Sequence, residues 1–269
     1  MIELFERDGH TTGRNSSKGN QLKWEKNGVW YKADCNGYEG LAEYAVSHLM
    51  QFSNLTRDEF ALYGTEQIRY KDRIYRGAQS RNFLEPGWQI ITLERLFMNF
   101  CGQSLNGILW RMPGCAERLN YMASQTERIT GLRDFGIYLE RLLTIDAFFL
   151  NEDRHTHNIA VLMNGESDFR LCPVFDNGAA LLSDTSMDYP MDGDVYALME
   201  TVKAKTAATD FDEQLETAET IFGSHLRFRF THNDVEKILG GADGYTDAEK
   251  QRVRAVIFEQ MRKYAYLFE

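Results

Sequence analysis

The feature that most constrains the fold is a short β-hairpin predicted between stretches of helical periodicity. Residues 135–150 are apolar on nearly every side, which predicts a buried helix. A polar run at 151–158 ends that helix, and two apolar runs follow at 159–163 and 169–175. Two such runs around a polar turn are typical of an antiparallel strand pair. The chain must therefore accommodate a small sheet within a mainly helical region.

The open end of this predicted hairpin carries side chains that suit a metal ion. With Ser167 as the centre of the turn, Asn158 and Asp176 are equally distant along the two strands. Directly opposed residues have Cβ atoms about 4.5–5.5 Å apart, so an amide oxygen and a carboxylate can share one divalent cation. Mg²⁺ suits such sparse ligation because it keeps waters and takes phosphate oxygens. A one-residue slip in register would turn one ligand away.

A candidate catalytic base precedes this predicted metal site. Asp153 lies five residues before Asn158, on the loop that enters the hairpin, so its carboxylate can point into the same space. The loop also contains His155 and His157, and a His-x-His pattern beside a carboxylate suits a transition-metal site instead. The remaining histidines occur in contexts that form no recognisable third-ligand motif. A third alternative is a solvated connection between a helix and a strand.

The run Asp-Arg-His-Thr-His-Asn at 153–158 resembles the catalytic loop of phosphatidylinositol kinases and of HipA-like serine/threonine kinases. Both families show an Asp, a His two residues later and an Asn five residues later, and then a β-hairpin that ends in a metal-binding Asp. The Pro-Val-Phe-Asp run at 173–176 is similar to the Pro-x-Tyr-Asp element of HipA-like kinases. The resemblance extends more loosely to the N-terminal hairpin and helix.

This resemblance implies an α+β, two-lobe protein kinase-like fold. The N-lobe would hold an antiparallel sheet and one helix, which we expect at 38–51, with a further strand at 73–79. The C-lobe would be mainly helical and carry the catalytic hairpin. A break in periodicity at 83–87, before a helix near residue 93, predicts the boundary between an N-lobe at 1–84 and a C-lobe at 85–269.

The resemblance also implies roles for individual residues. Asp153 would orient or deprotonate the acceptor hydroxyl. Asn158 and Asp176 would hold Mg²⁺, and His155 would brace the catalytic loop. The cofactors implied are therefore ATP and Mg²⁺.

A second predicted hairpin, in the first third of the chain, carries a candidate ATP contact. Asn27-Gly28 lies between two strand-like runs and supplies the positive φ angles of a type I′ turn. Lys32 ends the second arm, and in protein kinases a strand lysine contacts the phosphates and pairs with a helix Glu. Glu43 is the first choice for that partner, and Glu39, one turn earlier on the same face, is the second. The alternative is that Lys32 is a solvated strand residue.

Within the small, polar run at 11–20, the stretch from Gly13 to Asn20 is the candidate phosphate loop. It would offer backbone N–H groups and the hydroxyls of Ser16 and Ser17, with Gly13 and Gly19 as further proposed contacts. It matches neither G-x-x-x-x-G-K-[ST] nor G-x-G-x-x-G. HipA-like kinases can autophosphorylate on a serine of this loop, so the resemblance makes Ser16 or Ser17 a regulatory candidate.

Two other motifs have competing interpretations. Asp134-Phe135-Gly136 spells the kinase D-F-G motif but precedes the catalytic loop, so we interpret it as the start of a helix. Residues 183–186 follow Asp176 in the position of an activation segment, and a structural role is equally compatible with them.

Composition narrows the remaining function classes. A formal net charge of -10 disfavours a broad nucleic-acid-binding surface, and no run is apolar enough to predict a membrane span. We therefore expect a cytoplasmic protein. Its cysteines form no C-x-x-C pair, which predicts reduced packing residues rather than a zinc site.

The sequence thus predicts an ATP-dependent kinase that phosphorylates a serine or threonine hydroxyl of a protein substrate. The first alternative is a kinase for an inositol lipid or small alcohol, because Asp-Arg-His is closer to the phosphatidylinositol kinase loop. The alternative of another class is a nucleotide-binding pseudokinase that docks a partner. A toxin–antitoxin or effector partner is implied by family resemblance only.

Overall fold

The computed structural model describes residues 1–9, 21–166 and 168–269. The candidate phosphate loop, with Gly13, Ser16, Ser17 and Gly19, and the predicted turn centre Ser167 lie outside the described residues.

The described residues form two compact units that interleave along the chain. Unit 1 comprises Met1–Phe83, Phe175–Thr201 and Arg227–Glu269. Unit 2 comprises Leu84–Val174 and Val202–Leu226. The first change of unit falls between Phe83 and Leu84, but the chain changes unit again further on. The predicted division into lobes at 1–84 and 85–269 stays a prediction.

In the described part of the chain, all α-helices except the first lie beyond residue 92. In chain order they are α1 (Glu39–Met50), α2 (Leu93–Cys101), α3 (Leu105–Leu109), α4 (Cys115–Thr130), α5 (Phe135–Phe149), α6 (Val195–Met199), α7 (Phe211–Phe222), α8 (His232–Gly240) and α9 (Asp247–Lys263). Short 3₁₀ turns occur at Glu6–Asp8 and Ala265–Leu267.

Unit 1 is organised around a five-stranded sheet. Its strands are β1 (Ile2–Leu4), β2 (Lys23–Lys26), β3 (Val29–Ala33), β4 (Tyr63–Tyr70) and β5 (Arg73–Arg81). They follow the order β1-β4-β5-β3-β2, with β1 parallel to β4 and the other pairs antiparallel. The hairpin predicted in the first third is confirmed as β2 and β3. Asn27 and Gly28 have φ angles of 55° and 75°, as a type I′ turn requires.

Helix α1 packs on strands β4 and β5 of this sheet. It confirms the helix predicted at 38–51, and β5 confirms the strand predicted at 73–79. The apolar side of α1 is fully buried, at Leu41, Ala45, Val46 and Leu49. A second apolar cluster is formed by Leu4, Trp24, Tyr31, Ala33 and Ile68. The sheet therefore has a packed core that fixes both β3 and α1.

Unit 2 combines helices with a three-stranded antiparallel sheet. Its strands are β6 (Trp88–Thr92), β7 (Ala160–Asn164) and β8 (Phe169–Leu171), in the order β6-β7-β8. Helix α5 confirms the buried helix predicted from 135, and it packs against α4 and α7. Sequence reasoning missed β6, and it extended the last strand four residues too far, to 175. Pro173 has no backbone N–H to donate, which disfavours continuing the ladder.

The predicted register of the β7–β8 hairpin is wrong by two positions. Val161 pairs with Leu171 and Met163 with Phe169, so the turn is centred on residue 166 rather than on Ser167. The cause is Asn164, whose side-chain oxygen accepts hydrogen bonds from the backbone N–H groups of Glu166 and Asp168, each at 2.9 Å. Continuing this register places position 174, not Asp176, opposite Asn158. The two residues are therefore not direct cross-strand partners.

Close packing of α1 on β5, and of β5 on β3, depends on two glycines. A Cβ at Gly40 would lie 2.5 Å from the carbonyl carbon of Gly77, and a Cβ at Gly77 would lie 2.0 Å from the carbonyl oxygen of Lys32. These distances are far below van der Waals contact, so no larger residue fits. Gly40 therefore lets α1 approach β5, and Gly77 lets β5 lie against β3, the strand that carries Lys32.

We predict that Gly40→Ala lowers the free energy of unfolding by about 1–3 kcal/mol, because the added methyl group pushes α1 away from β5. Urea denaturation measures this change. The matched control is Gly240→Ala at the end of α8, where an added Cβ meets no atom within 4 Å. Equal effects of the two substitutions would contradict the close-packing explanation.

Candidate active site

Lys32 on strand β3 is held by two carboxylates within unit 1. Its Nζ donates to Oε1 of Glu43 at 2.6 Å and to Oδ1 of Asp176 at 2.7 Å. The side chains of Lys32 and Glu43 are 13% and 2% exposed, while that of Asp176 is 27% exposed. Three residues predicted to act on ATP or its metal ion are therefore brought together, and Lys32 is not a solvated strand residue.

The backbone around Asp176 fixes the position of its carboxylate. Asp176 has a φ of 61°, in the left-handed region that non-glycine residues seldom adopt. Its N–H donates to the hydroxyl of Tyr63 at 3.4 Å, and the next N–H, of Asn177, donates to Oε2 of Glu43 at 2.9 Å. Glu43 thus binds both Lys32 and the chain that carries Asp176. Strained backbone of this kind is characteristic of functional sites.

The electrostatics of this cluster keep Lys32 protonated. Burial by itself lowers the pKa of Lys32, but the charges of Asp176 and Glu43 outweigh it, and the pKa lies well above its ordinary value. The ring of Tyr63 lies 5.2 Å from the Lys32 ammonium, and burial raises the pKa of this tyrosine. The site therefore presents a fixed cation beside a partly exposed carboxylate.

Glu39, the second choice as the partner of Lys32, has a different position. Its carboxylate accepts hydrogen bonds from the backbone N–H groups that precede α1, namely those of Cys35, Asn36 and Gly37 at 2.7–3.3 Å. Glu39 therefore orders the turn into α1, and Glu43 is the residue that reaches Lys32.

The segment after Asp176 is fastened to the start of α1. The hydroxyl of Tyr38 donates to the carbonyl of Leu181 at 2.7 Å, and the N–H of Tyr38 donates to the carbonyl of Ser183 at 3.1 Å. Ser183 itself is 1% exposed and donates to the carbonyl of Gly178. Residues 183–186 were predicted to form either an activation segment or a structural element. The burial of Ser183 favours a structural role for that residue.

In unit 2, Asp153 and Asn158 face one another across the predicted catalytic loop. The amide nitrogen of Asn158 donates to the backbone carbonyl of Asp153 at 2.8 Å and to its Oδ2 at 3.2 Å. This orientation leaves the amide oxygen of Asn158 as the atom suited to a metal ion. The loop therefore presents a carboxylate and an amide oxygen in fixed relation.

His155 lies on the other side of the Asp153 carboxylate. Its Nδ1 accepts a hydrogen bond from the N–H of His157 at 3.2 Å, which places the ring proton on Nε2. That Nε2 is 3.7 Å from Oδ1 of Asp153. Burial lowers the pKa of His155, with the charge of Asp153 opposing the shift. A neutral imidazole therefore flanks Asp153, in a position to orient it.

A buried ion pair beneath the loop was not singled out from the sequence. Nε of Arg154 donates to Oδ1 and Oδ2 of Asp146 at 3.1 and 3.0 Å, and the two side chains are 2% and 1% exposed. Arg154 also donates to the carbonyl of Asn158 at 3.1 Å. The pair ties the loop to helix α5. Its only sequence signal was an aspartate at 146 between apolar residues in the last turns of a mainly apolar helix.

Sequence reasoning also missed Lys205. Its Nζ lies 3.8 Å from Oδ1 of Asp153, and its side chain is 38% exposed. Nothing in the pattern around residue 205 resembles a site, because the contact arises only from folding.

The candidate metal ligands are oxygen donors. Amide and carboxylate oxygens are the ligands that Mg²⁺ prefers, so Asn158 and Asp176 suit this ion chemically. Asn158 belongs to unit 2 and Asp176 to unit 1. Over residues 1–9, 21–166 and 168–269, no group of three or more His, Cys, Asp or Glu side chains is arranged to hold a metal ion. Within these residues, His155 and His157 therefore belong to no group of that kind.

Comparison with known proteins identifies the fold. No protein-family model matches the chain, and no curated protein matches its sequence. Among solved structures, the proinflammatory kinase CtkA of Helicobacter pylori matches with a TM-score of 0.62, over 97% of this chain and 95% of that one. The fold is kinase-like. Sequence identity is 14%. The similarity therefore establishes a two-lobe, α+β kinase-like fold and does not by itself assign an activity.

No helix in the described part of the chain has the length and apolar character needed to cross a membrane.

We predict that Asp146→Ala lowers the free energy of unfolding by about 3–5 kcal/mol, because Arg154 is left buried without its counter-ion. Chemical denaturation measures the loss. The matched control is Glu85→Ala, which breaks the exposed Arg170–Glu85 pair in the same unit. We expect that control to cost about 0–1 kcal/mol. Similar values for both substitutions would contradict the bracing role of the buried pair.

Proposed function

We propose that this chain is an ATP-dependent phosphotransferase that transfers the γ-phosphoryl group to a hydroxyl acceptor. The observation that carries the proposal is the hydrogen bonding of Lys32 to both Glu43 and Asp176. A strand lysine paired with a helix glutamate is the phosphate-binding arrangement of protein kinases. The kinase-like fold supports the same assignment.

In this proposal the Lys32 ammonium binds phosphate oxygens of ATP. Glu43 keeps it in position and remains bonded to the backbone at Asn177. Asp176, which is more exposed than Glu43, is the carboxylate available to a metal ion. A Mg²⁺ ion held there would neutralise negative charge on the phosphates. The resemblance of the 153–158 loop to kinase catalytic loops implies the amide oxygen of Asn158 as a further metal ligand.

Asp153 then acts on the acceptor. Its carboxylate, oriented by Asn158 and His155, accepts the hydroxyl proton as the acceptor oxygen attacks the γ-phosphorus. Phosphoryl transfer depends mainly on positioning and charge neutralisation, so these few residues suffice for the chemistry.

We further propose that the acceptor is a serine or threonine hydroxyl of a protein. The support is the resemblance of the 153–158 loop and of Pro173–Asp176 to HipA-like kinases. A lipid or small-alcohol acceptor is the second candidate, because Asp-Arg-His also occurs in the phosphatidylinositol kinase loop. A pseudokinase would share the Lys32 cluster but would not catalyse phosphoryl transfer.

We predict that the protein incorporates label from γ-labelled ATP in the presence of Mg²⁺, and that Asp153→Asn reduces the rate about 10²–10⁴-fold by removing the base. Asp176→Asn should also abolish most activity. Protein, inositol lipid and small-alcohol acceptors are assayed in parallel, and the labelled product identifies the acceptor class.

The matched control is Asp134→Ala. This exposed aspartate begins α5 and belongs to the misplaced D-F-G sequence, so its loss should leave the rate unchanged. A wild-type protein that binds nucleotide yet labels none of the three acceptor classes would contradict the enzyme and favour the pseudokinase.

A further inference from the structure

The segment that carries Lys205 is rigidly held beside the predicted catalytic loop, all within unit 2. Ala204 and Thr206 are 2% and 1% exposed, and the hydroxyl of Thr206 donates to the backbone carbonyl of Arg154. Downstream, the N–H groups of Ala207 and Ala208 donate to the side chain of Gln214 on α7. Because Thr206 is bonded directly to the loop, the backbone at Lys205 has a fixed position relative to Asp153.

Burial alternates along this segment and directs its lysines outward. Val202, Ala204 and Thr206 are buried, whereas Lys203 is exposed and Lys205 is half-buried. Lys205 extends towards Asp153, and its Nζ lies 3.8 Å from Oδ1. The two lysines thus share a segment and a charge, but Lys205 is the one placed at the candidate base.

The Lys205–Asp153 contact is too long to serve mainly in stability. The Nζ–Oδ1 distance of 3.8 Å is longer than that of a hydrogen bond, and ion pairs with a partly exposed member add little to stability. The ammonium can therefore leave Asp153 for a better anionic partner at little cost.

We propose that Lys205 is a catalytic residue that binds the γ-phosphoryl group during transfer. The inference rests on the proposed function, in which Asp153 receives the acceptor hydroxyl. The acceptor oxygen forms a bond to the γ-phosphorus while the bond to the β-phosphate oxygen breaks, and ADP leaves with that electron pair. The hydroxyl proton passes to Asp153. Lys205 stays protonated throughout and donates hydrogen bonds to the non-bridging oxygens.

The geometric reason is proximity to the acceptor. A phosphoryl group in transfer lies within about 3–3.5 Å of the attacking oxygen, which itself hydrogen-bonds Asp153. A cation next to the Asp153 carboxylate is therefore within reach of the phosphoryl oxygens. Preorganised donors at such positions stabilise the charge of the transition state more than that of the ground state.

We predict that Lys205→Met lowers kcat about 10²–10³-fold, with little change in KM for ATP, as expected for a donor that acts in the transition state. Lys205→Arg keeps the charge and should recover part of the loss. Lys203→Met, on the same segment and away from Asp153, should retain the wild-type kcat. Steady-state kinetics with Mg²⁺·ATP measures all four proteins.

A binding measurement separates this role from a structural one. ADP with Mg²⁺ and aluminium fluoride mimics the phosphoryl group in transfer, and Lys205→Met should weaken its binding while leaving ADP binding unchanged. Equal weakening of both ligands, or an unchanged kcat in an active enzyme, would overturn the inference. An inactive wild-type protein would instead count against the proposed function, and the binding comparison would still decide whether Lys205 contacts the phosphoryl position.

Discussion

The hydrogen bonds from Lys32 to Glu43 and Asp176 fix the geometry of the candidate ATP-binding residues of unit 1. A buried ammonium is costly unless it is paired, and here two carboxylates raise its pKa above the ordinary value. The arrangement requires three separate parts of the chain to meet: β3, α1 and the segment that begins at Phe175. Gly40 and Gly77 make the meeting of helix and strand sterically feasible. The fold therefore holds a cation in a place where its charge can serve phosphate binding.

Unit 2 also contains a buried ion pair, between Arg154 and Asp146. The loop at 151–158 is polar, yet much of it is buried, so its backbone and side chains need internal partners. Arg154 supplies several of them by bonding to Asp146 and to the carbonyl of Asn158. Because these contacts hold the buried side of the loop in place, Asp153 keeps a fixed orientation on the other side. Buried pairs of this kind contribute geometry more than net stability.

The sequence predicted those helices and strands whose formation depends on neighbouring residues in the chain. Asn27-Gly28 predicted a hairpin because both residues adopt positive φ, and the all-round apolar character of 135–150 predicted a buried helix. The β7–β8 register failed because the side chain of Asn164 forms a tighter turn than the spacing of the apolar runs suggested. Strand β6 was missed because its apolar run is short and directly precedes a helix.

The residues of the candidate site likewise fall into those that the sequence predicts and those that only the folded structure reveals. Lys32, Glu43, Asp153, Asn158 and Asp176 were found because their spacing resembles a family pattern, and the structure brings the first, second and last together. Arg154 and Lys205 were missed because burial and a contact from a distant segment are tertiary properties. The register error left these residue choices intact but removed the direct Asn158–Asp176 pairing.

Titration calorimetry of Mg²⁺·ATP with wild-type protein and with Lys32→Met tests directly whether the Lys32 cluster binds ATP. We expect Mg²⁺-dependent binding that Lys32→Met weakens by about 10–100-fold, the value of one charge-assisted hydrogen bond. Lys71→Met, at an exposed lysine of the same unit, should bind as wild type does. Equal affinity in all three proteins would contradict the claim that the Lys32 cluster binds the phosphates of ATP.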